Sequence, residues 1–342
     1  MCGKLCFIIL CAVIALGLIK APVAHSASLL DDHASNGVME DHNHKPGKWM
    51  FSYRYVRMKM DGNRDGTGDV STTQVLNDFI VAPHDMTMDM HMLGAMYGLT
   101  HDLMFMGMVS YAHKSMNHVN RVGSHFKTET TGLGDSTLSG MYVLYHSGTG
   151  AKMHRVQHTL QLNLGLSLPT GSVDERGDTP VGPNQKLPYP MQLGSGTFDP
   201  LLGLIYLNKQ ENWSLGGQAS TVLRFGKNDE GYRLGNEYVA AAWVAYSLGT
   251  RASISLRLEG RAWGNIHGED GELNKAMVPT ARPDLRSGES IDALLGINLI
   301  QPDGALSGHR LSAEFGLPVY QHLDGPQLEA SYRFTLSWQW AM

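Results

Sequence analysis

The closing residues of the chain place Tyr332, Phe334, Leu336, Trp338, Trp340 and Met342 at even positions and Arg333, Thr335, Ser337 and Gln339 at odd ones. A strand's side chains alternate between two faces, so this segment is a strand with one apolar and one polar surface. An aromatic-rich apolar face at the C-terminus fits the last strand of an outer-membrane barrel, with lipid outside, a polar lumen inside and Trp or Tyr at the interface. Met342 departs from the usual terminal Phe. The competing reading is the edge strand of a soluble sandwich.

Other segments repeat the pattern. Val156 to Leu168 sets Leu160, Leu162, Leu164, Leu166 and Leu168 against Gln157, Thr159, Gln161, Asn163 and Ser167. Arg251 to Trp263 sets Ala252, Ile254, Leu256 and Leu258 against Arg251, Ser253, Ser255, Arg257, Glu259 and Arg261, and Arg310 to Pro318 sets Leu311, Ala313, Phe315 and Leu317 against Arg310, Ser312 and Glu314. Less regular strands run through Lys48 to Met60, Met86 to Gly98, Leu103 to His113, Ser136 to His146, Thr197 to Asn208, Trp213 to Gly226, Leu234 to Leu248 and Glu289 to Ile300. With the closing strand the total is twelve. Long or Gly/Pro/Asp-rich connections such as Asp61 to Asp85 and Pro169 to Gly196 alternate with mostly shorter ones such as Leu99 to Asp102 and Gly249 to Thr250. Long loops on one side, short turns on the other and both termini on the short-turn side describe an outer-membrane barrel. The expected fold is therefore a 12-stranded antiparallel transmembrane outer-membrane β-barrel with periplasmic termini.

The N-terminus adds a compartment. Lys4, the apolar run Leu5 to Ile19 and the small residues of Ala24-His25-Ser26 read as a signal peptide over 1–26. The chain is expected to be exported to the outer membrane of a Gram-negative cell, with residues 27–47 a polar, His-rich periplasmic segment or plug and 48–342 the barrel. Cys2, Cys6 and Cys11 all fall in the segment to be removed, which excludes disulfides and thiol chemistry from the mature chain. Leu5 and Leu10 precede Cys6 and Cys11, where lipoprotein processing needs a small residue. Past the signal no apolar run reaches the roughly eighteen residues of a spanning helix. The 39 glycines and 17% charged residues suit strands with one wet face, and a net charge of −5 indicates no nucleic-acid partner. The partners implied are outer-membrane lipid, the barrel-assembly machinery and a small-molecule solute.

Methionine is over-used: most of the 19 lie between Met39 and Met116. If Thr100 and His101 form a two-residue turn, Met96, Met92 and Met90 face Phe105, Val109 and Tyr111 on the lipid side. The lumen side then holds Asp89, His91, Leu93 and Tyr97 beside Met104, Met106, Met108 and Ser110. Thioether and imidazole together could hold Cu(I), while methionine is equally an unbranched apolar filler. A one-residue slip would reverse one strand relative to its partner. His33, Met39, Asp41, His42 and His44 form a second candidate copper, nickel or zinc cluster, with solvation as the plain alternative. Asp61-Gly62-Asn63-Arg64-Asp65-Gly66 copies half a calcium loop, but its twelfth position is Thr72 rather than Glu. No cofactor is fixed by the sequence; the candidates are Cu or Ca.

The charges expected in the lumen are Arg54, Arg224, Arg251, Arg257, Glu259, Arg261, Arg310, Glu314, Glu329 and Arg333. They read as pairs that satisfy one another in a narrow barrel, or as an Arg-rich wall selecting anions or polarised aromatics. No Ser, His and carboxylate spacing singles out a catalytic site, so the chain is not expected to be an enzyme.

The motifs between the strands carry a resemblance. Gly132-Leu133-Gly134-Asp135, Leu168-Pro169-Thr170-Gly171 and Gln192-Leu193-Gly194-Ser195-Gly196-Thr197 resemble the family named for the MetA pathway of phenol degradation, over roughly the whole mature chain. The resemblance implies an outer-membrane transporter, with some members associated with aromatic-compound catabolism, and supplies no ligand residues. The function expected is a channel for passive passage of small hydrophobic or aromatic solutes. The alternatives are a copper or soft-metal pore and a barrel lipid hydrolase.

Overall fold

The computed structural model describes residues 46–147, 156–210 and 212–342. The expected signal segment, nearly all of 27–47 and with it His33, Met39, Asp41, His42 and His44 lie outside the described residues.

Strands alternating apolar and polar residues have nowhere to leave an open edge in hydrocarbon, and the chain closes them on themselves. In order they are β1 (Trp49–Gly66), β2 (Gly68–Val70), β3 (Val81–Gly98), β4 (Leu103–Asn120), β5 (His125–Leu133), β6 (Ser136–His146) and β7 (Val156–Leu168). There follow β8 (Arg176–Thr179), β9 (Gly182–Lys186), β10 (Asp199–Gln210), β11 (Trp213–Val222), β12 (Tyr232–Arg233) and β13 (Glu237–Ser247). The last are β14 (Ala252–Trp263), β15 (His267–Gly268), β16 (Gly288–Gln301) and β17 (His309–Ala341). β1, β3, β4, β6, β7, β10, β11, β13, β14, β16 and β17 form a closed antiparallel ring of eleven strands, while β2 and β5 extend β1 and β4 outside it. β8–β9 and β12–β15 are separate small ribbons in the loops.

The ring's outer face is apolar and exposed, as the alternation requires. Leu295 is 65% exposed while its neighbour Leu294 is 1% exposed, so consecutive residues of β16 see different surroundings. Leu164, Leu202, Leu256, Phe315 and Trp338 share the exposed outer face, and Asn163, Arg257, Glu314 and Ser337 are buried on the inner one. The closing strand sits as expected, with Trp340 opposite Phe51 and Gln339 opposite Ser52. Aromatics gather at the short-turn end, where Trp49 packs on Tyr97 at 4.8 Å and Trp213 on Tyr246 at 4.7 Å.

Three connections differ from expectation. β1 runs on to Gly66, and a seven-residue helix α1 (Thr72–Asp78), begun by a capping box between Ser71 and Gln74, fills part of the segment read as a loop. Lys114 to Asp135 is largely a hairpin of β4 and β5, and Val319 to Gln327 continues β17. Beyond the lipid neither strand face needs to be apolar, so alternation fades while backbone hydrogen bonding continues.

The wall changes character at β5. β4 pairs with β6 at its start, Leu103 to Met108, and with β5 higher up, Tyr111 to Val119. β6 pairs onward to β7, but among the described residues β5 is hydrogen-bonded to no strand other than β4. Gly134 and Asp135 mark the break, and the long segment 169–198 folds in beside it.

Candidate functional site

The methionine wall forms, in a different register from the one expected. Gly98 lies opposite Met104, Met96 opposite Met106 and Met92 opposite Ser110. The turn spans four residues, Leu99 to Asp102: the N–H groups of Leu99 and Thr100 both donate to the Leu103 carbonyl, and Thr100 Oγ1 accepts from Asp102 and Leu103 N–H. That one-residue slip turns β3 over relative to β4. Met104, Met106 and Met108 do face inward, and Met86, Met88, Met90, Met92 and Met96 join them, while Asp89, His91, Leu93 and Tyr97 face outward. His91 is exposed, its Nδ1 2.7 Å from the Tyr53 hydroxyl, on the opposite face from Met106 and Met108. The expected His91–methionine metal site is therefore not formed. Met50, Met96, Met104, Met106 and Met141 instead pack into one buried cluster across the short-turn end of the lumen. On the facing wall Ile205, Leu207 and Trp243 form a second.

Opposite the methionines the lumen is charged. Arg257 Nη2 lies 2.5 Å from Glu314 Oε1, and its Nη1 pairs with Glu259. Arg333 reaches Glu259 at 2.8 Å and Asp292 at 3.4 Å, and Arg261 reaches Glu259 at 3.3 Å and Glu237 at 3.6 Å. Asp292 and Glu237, unremarked in the sequence reading, bring the acids to four against three guanidinium groups. The Arg excess expected to select anions is absent from this cluster, whose charges pair with one another. Arg310 donates to Asn298 Oδ1 at 2.9 Å, and Arg224 pairs with the buried Asp199. Two members of the expected set lie elsewhere: Arg251 is exposed in the turn before β14, and Glu329 pairs with Arg64 at 2.6 Å at the loop end. That pair also accounts for the calcium-like segment. Asp61 to Gly66 is β1 strand, its Arg64 also holding Asp69 at 2.8 Å and its Asn63 donating to the Pro83 carbonyl at 2.8 Å. Among the described residues no group of three or more His, Cys, Asp or Glu is placed to hold a metal.

Segment 169–198 enters the loop end of the barrel. Leu187 and Met191 are buried against the inward-facing Met86 and Met116, with Met60 and Leu328 packed around them. Lys114, also inward, donates to the carbonyl oxygens of Pro190 at 3.0 Å and Gln192 at 2.5 Å, and Thr130 Oγ1 donates to the Met191 carbonyl at 2.9 Å. Gln192 braces the segment internally, its Nε2 donating to the Leu187 carbonyl at 2.7 Å and its Oε1 accepting from Glu175 N–H at 2.8 Å.

The three motifs flagged in the sequence meet at the base of this segment. Asp135 Oδ1 accepts from Gly171 N–H at 3.1 Å, and Asp135 Oδ2 accepts from Ser195 N–H at 2.8 Å and Ser195 Oγ–H at 2.7 Å. Thr170 Oγ1 accepts from Ser136 N–H and donates to the Gly134 carbonyl, both at 2.8 Å. Thr197 Oγ1 donates to Asp199 Oδ1 at 2.8 Å. A Cβ on Gly171 would stand 2.7 Å from Gly194 Cα, backbone that has no room to yield, so both positions need glycine. The motifs are a latch that ties the inward segment to the break between β5 and β6. Sequence reasoning found its glycines but missed Asp135 and Ser195 as its working groups.

A second loop, 264–287, joins the first. Lys186 lies 3.0 Å from Asp174, 3.1 Å from Glu230 and 3.2 Å from Asp270, and Arg176 lies 2.9 Å from Asp174 and 2.7 Å from Glu272. Burial alone would depress the Lys186 ammonium, but the three carboxylates outweigh it and hold it above the usual lysine value. The Lys186 hydrogen bond holds Asp174 below the usual carboxylate range, and the Arg176 hydrogen bond does the same for Glu272. Between this lid and the methionine cluster a chamber of about 270 Å³ remains, with Arg54, Met106, Met108, Asn163, Gln218 and Val239 among its walls.

A model of the family described as "Putative MetA-pathway of phenol degradation" matches residues 62–286. No curated protein matches the chain in sequence. Among solved structures, an outer membrane channel from Pseudomonas putida F1 is 17% identical, with a TM-score of 0.58 over 88% of this chain and 98% of that one. The P. putida toluene transporter TodX is 9% identical with a TM-score of 0.40 over 87% of this chain and 90% of that one. The monoaromatic hydrocarbon channel CymD is 8% identical with a TM-score of 0.38 over 87% and 89%. The first shares this chain's fold; the other two superpose too loosely to bear on it.

Proposed function

The chain belongs to the MetA-pathway of phenol degradation family, and we propose that it is a channel of the Gram-negative outer membrane that passes small hydrophobic or aromatic solutes passively, without turning them over. The observation that carries this reading is the plugged lumen: an apolar exterior, an amphipathic chamber of about 270 Å³, and an inward segment tied at its base by a hydrogen-bonded latch and further in by Lys114 and Thr130. A plug fixed by polar contacts at its base can swing without unfolding the wall. The methionine face of the chamber suits an apolar solute, and the paired charges opposite it cost such a solute no desolvation of a free ion.

The barrel is further read as twelve-staved. Residues 309–323 of β17 pair antiparallel with β16 and residues 323–341 pair antiparallel with β1. An odd ring of wholly antiparallel pairs does not close, so β17 must reverse direction within itself and supply two staves. Its 33 residues also exceed, by about a factor of three, what one tilted membrane strand needs. The short turns and both ends of the barrel domain then lie at the periplasmic side, which fits secretion behind a signal peptide over 1–26 and insertion by the barrel-assembly machinery. A sideways exit is favoured by one observation: among the described residues no strand is hydrogen-bonded to the second edge of β5, at whose end Leu133 is exposed.

The test is flux of phenol and toluene into vesicles carrying the refolded protein, alongside single-channel recording with the same solutes as blockers. Passage above empty vesicles, saturating with neither solute consumed, is expected. Chemical conversion of either solute, or no passage in wild type and in a latch-broken variant, would overturn the channel reading.

A further inference from the structure

On β1, β3, β4 and β5 the outward face of the wall changes character toward the loop end. Tyr53, Leu93 and Val109 stand abreast on neighbouring strands, and the next outward rung is Tyr55, His91 and Tyr111. Arg57, Asp89, His113 and Thr131 follow, then Lys59, Thr87, Ser115 and Glu129, then Asp85, Asn117 and Lys127. Apolar, then aromatic, then charged is the order met on leaving hydrocarbon for a head-group layer. The bases belong to this sector. Round the rest of the ring the outward rung Leu202, Thr221, Tyr238, Ala262 and Glu289 carries none.

Acids share the patch, but the wall engages two of them. Asp89 accepts from the Tyr55 hydroxyl at 2.5 Å, and Asp85 accepts from Asn117 Nδ2 at 3.0 Å and from Lys59. The bases reach further out. Arg57 is 46% exposed against 19% for Asp89, which lies 3.6 Å away, and Lys59 is 26% exposed against 16% for Asp85. Lys127, 51% exposed, has only the exposed Glu129 beside it. Ion pairs this open to water contribute little, so another anion can take their cations. We propose that this sector is a docking surface for a phosphorylated glycolipid of the outer leaflet, its acyl chains against Leu93, Val109 and Tyr111 and its phosphates on Arg57, Lys59 and Lys127. The apolar face below is already a lipid surface, with Leu93 59% exposed, so the occupant is a lipid and the bases select its head group. A guanidinium matches a phosphate with two parallel N–H donors, and clustered bases at a membrane surface attract anionic head groups. Bases on three successive rungs suit a head group with more than one phosphate. The assignment rests on the reading that the long loops lie outside the cell.

The experiment is native mass spectrometry of the full-length protein in detergent, titrated with bisphosphorylated lipid A, with its phosphate-free counterpart and with phosphatidylglycerol. Wild type should bind the bisphosphorylated lipid at least tenfold more tightly than either of the others. Each base removed should cost about fivefold, so Arg57→Gln with Lys59→Gln should weaken it about thirtyfold. Lys127→Gln, on β5 outside the ring, checks the same surface without touching a ring strand and should cost about fivefold. Arg251→Gln, in the exposed turn at the other end of the barrel, should change nothing. Equal binding of the phosphate-free lipid, a preference for phosphatidylglycerol, or native affinity in both the double variant and Lys127→Gln overturns the docking surface. Solute flux into vesicles is read separately and should persist in the double variant, so loss of the lipid site leaves the channel reading standing, and absence of flux in wild type leaves the lipid site standing.

Discussion

Replacing Asp135 by Ala removes the side-chain acceptor through which the first latch motif holds the other two. In the native protein that carboxylate takes Gly171 N–H at 3.1 Å, Ser195 N–H at 2.8 Å and Ser195 Oγ–H at 2.7 Å. Hydrogen bonds to a charged group contribute about 1.5–3 kcal/mol each. Asp135 is only half-buried, so water will replace part of the loss. Counting the two shorter bonds at the low end gives about 3 kcal/mol, roughly a hundredfold in the equilibrium between seated and released loop. None of this touches the ring's backbone ladder, so the barrel should keep its heat-modifiable band on a gel. Two readouts follow the same equilibrium: single-channel open probability, and tryptic cleavage at Arg176 and Lys186, which tracks the open population when opening is fast. Both should rise by a comparable factor. A folded Asp135→Ala barrel with native open probability and native cleavage would refute the latch, because the segment would then be held by its other contacts: Met86 and Met116, the Lys114 and Thr130 hydrogen bonds, and the Lys186 and Arg176 ion pairs.

Cysteines at Thr130 and Met191, whose Oγ1 and carbonyl lie 2.9 Å apart, should be bridged by a short thiol-reactive linker and stop solute flux, with flux restored on reduction. Arg257→Met leaves Glu259 and Glu314 buried without their shared cation and should cost about 3–5 kcal/mol in urea unfolding; Arg257→Met with Glu314→Leu should recover part of that. Acid should loosen the lid: Asp174 and Glu272 have lowered carboxyl pKa values, so their contribution is complete above about pH 4 and lost as pH falls through the lowered values. Lys186, with its raised value, loses its contribution only as pH climbs past about 10.4. Open probability should therefore be flat from roughly pH 5 to 9 and rise below about pH 4.

How much of the molecule was legible depends on how local the determining physics is. Ser136–His146 and Val156–Leu168 have the bounds that alternation assigns them, because lipid on one side and a polar lumen on the other act on every residue in turn. The inward direction of Arg257, Glu259, Glu314 and Arg333 follows from the same rule. What surrounds those charges does not: Asp292 and Glu237 come from strands β16 and β13, whose own patterns gave no sign that they would meet Arg333 and Arg261. The β3–β4 register failed for a sharper reason. Both candidate turns leave apolar side chains on each face, since methionine is as acceptable inside this barrel as outside it. The decision fell to Thr100, whose hydroxyl closes a four-residue turn.

The loop-end architecture was illegible in a different way. Asp135, Gly171 and Ser195 are spread over sixty residues of sequence, and each motif alone looks like glycine where a strand meets a loop. In the structure they are one object, and each glycine has a steric reason: Gly171 and Gly194 cross backbone to backbone, which lets Asp135 reach N–H groups on both sides. The latch therefore explains what these three motifs do together in this chain. It sits at the junction between β5, which pairs with β4 outside the ring, and β6, which belongs to it, so one cluster both marks that change in pairing and holds the plug. A solute that displaced the plug would strain the same hydrogen bonds that close the gap beside β5. Opening toward the lumen and opening toward the membrane are then coupled events, and a variant that frees one should free the other.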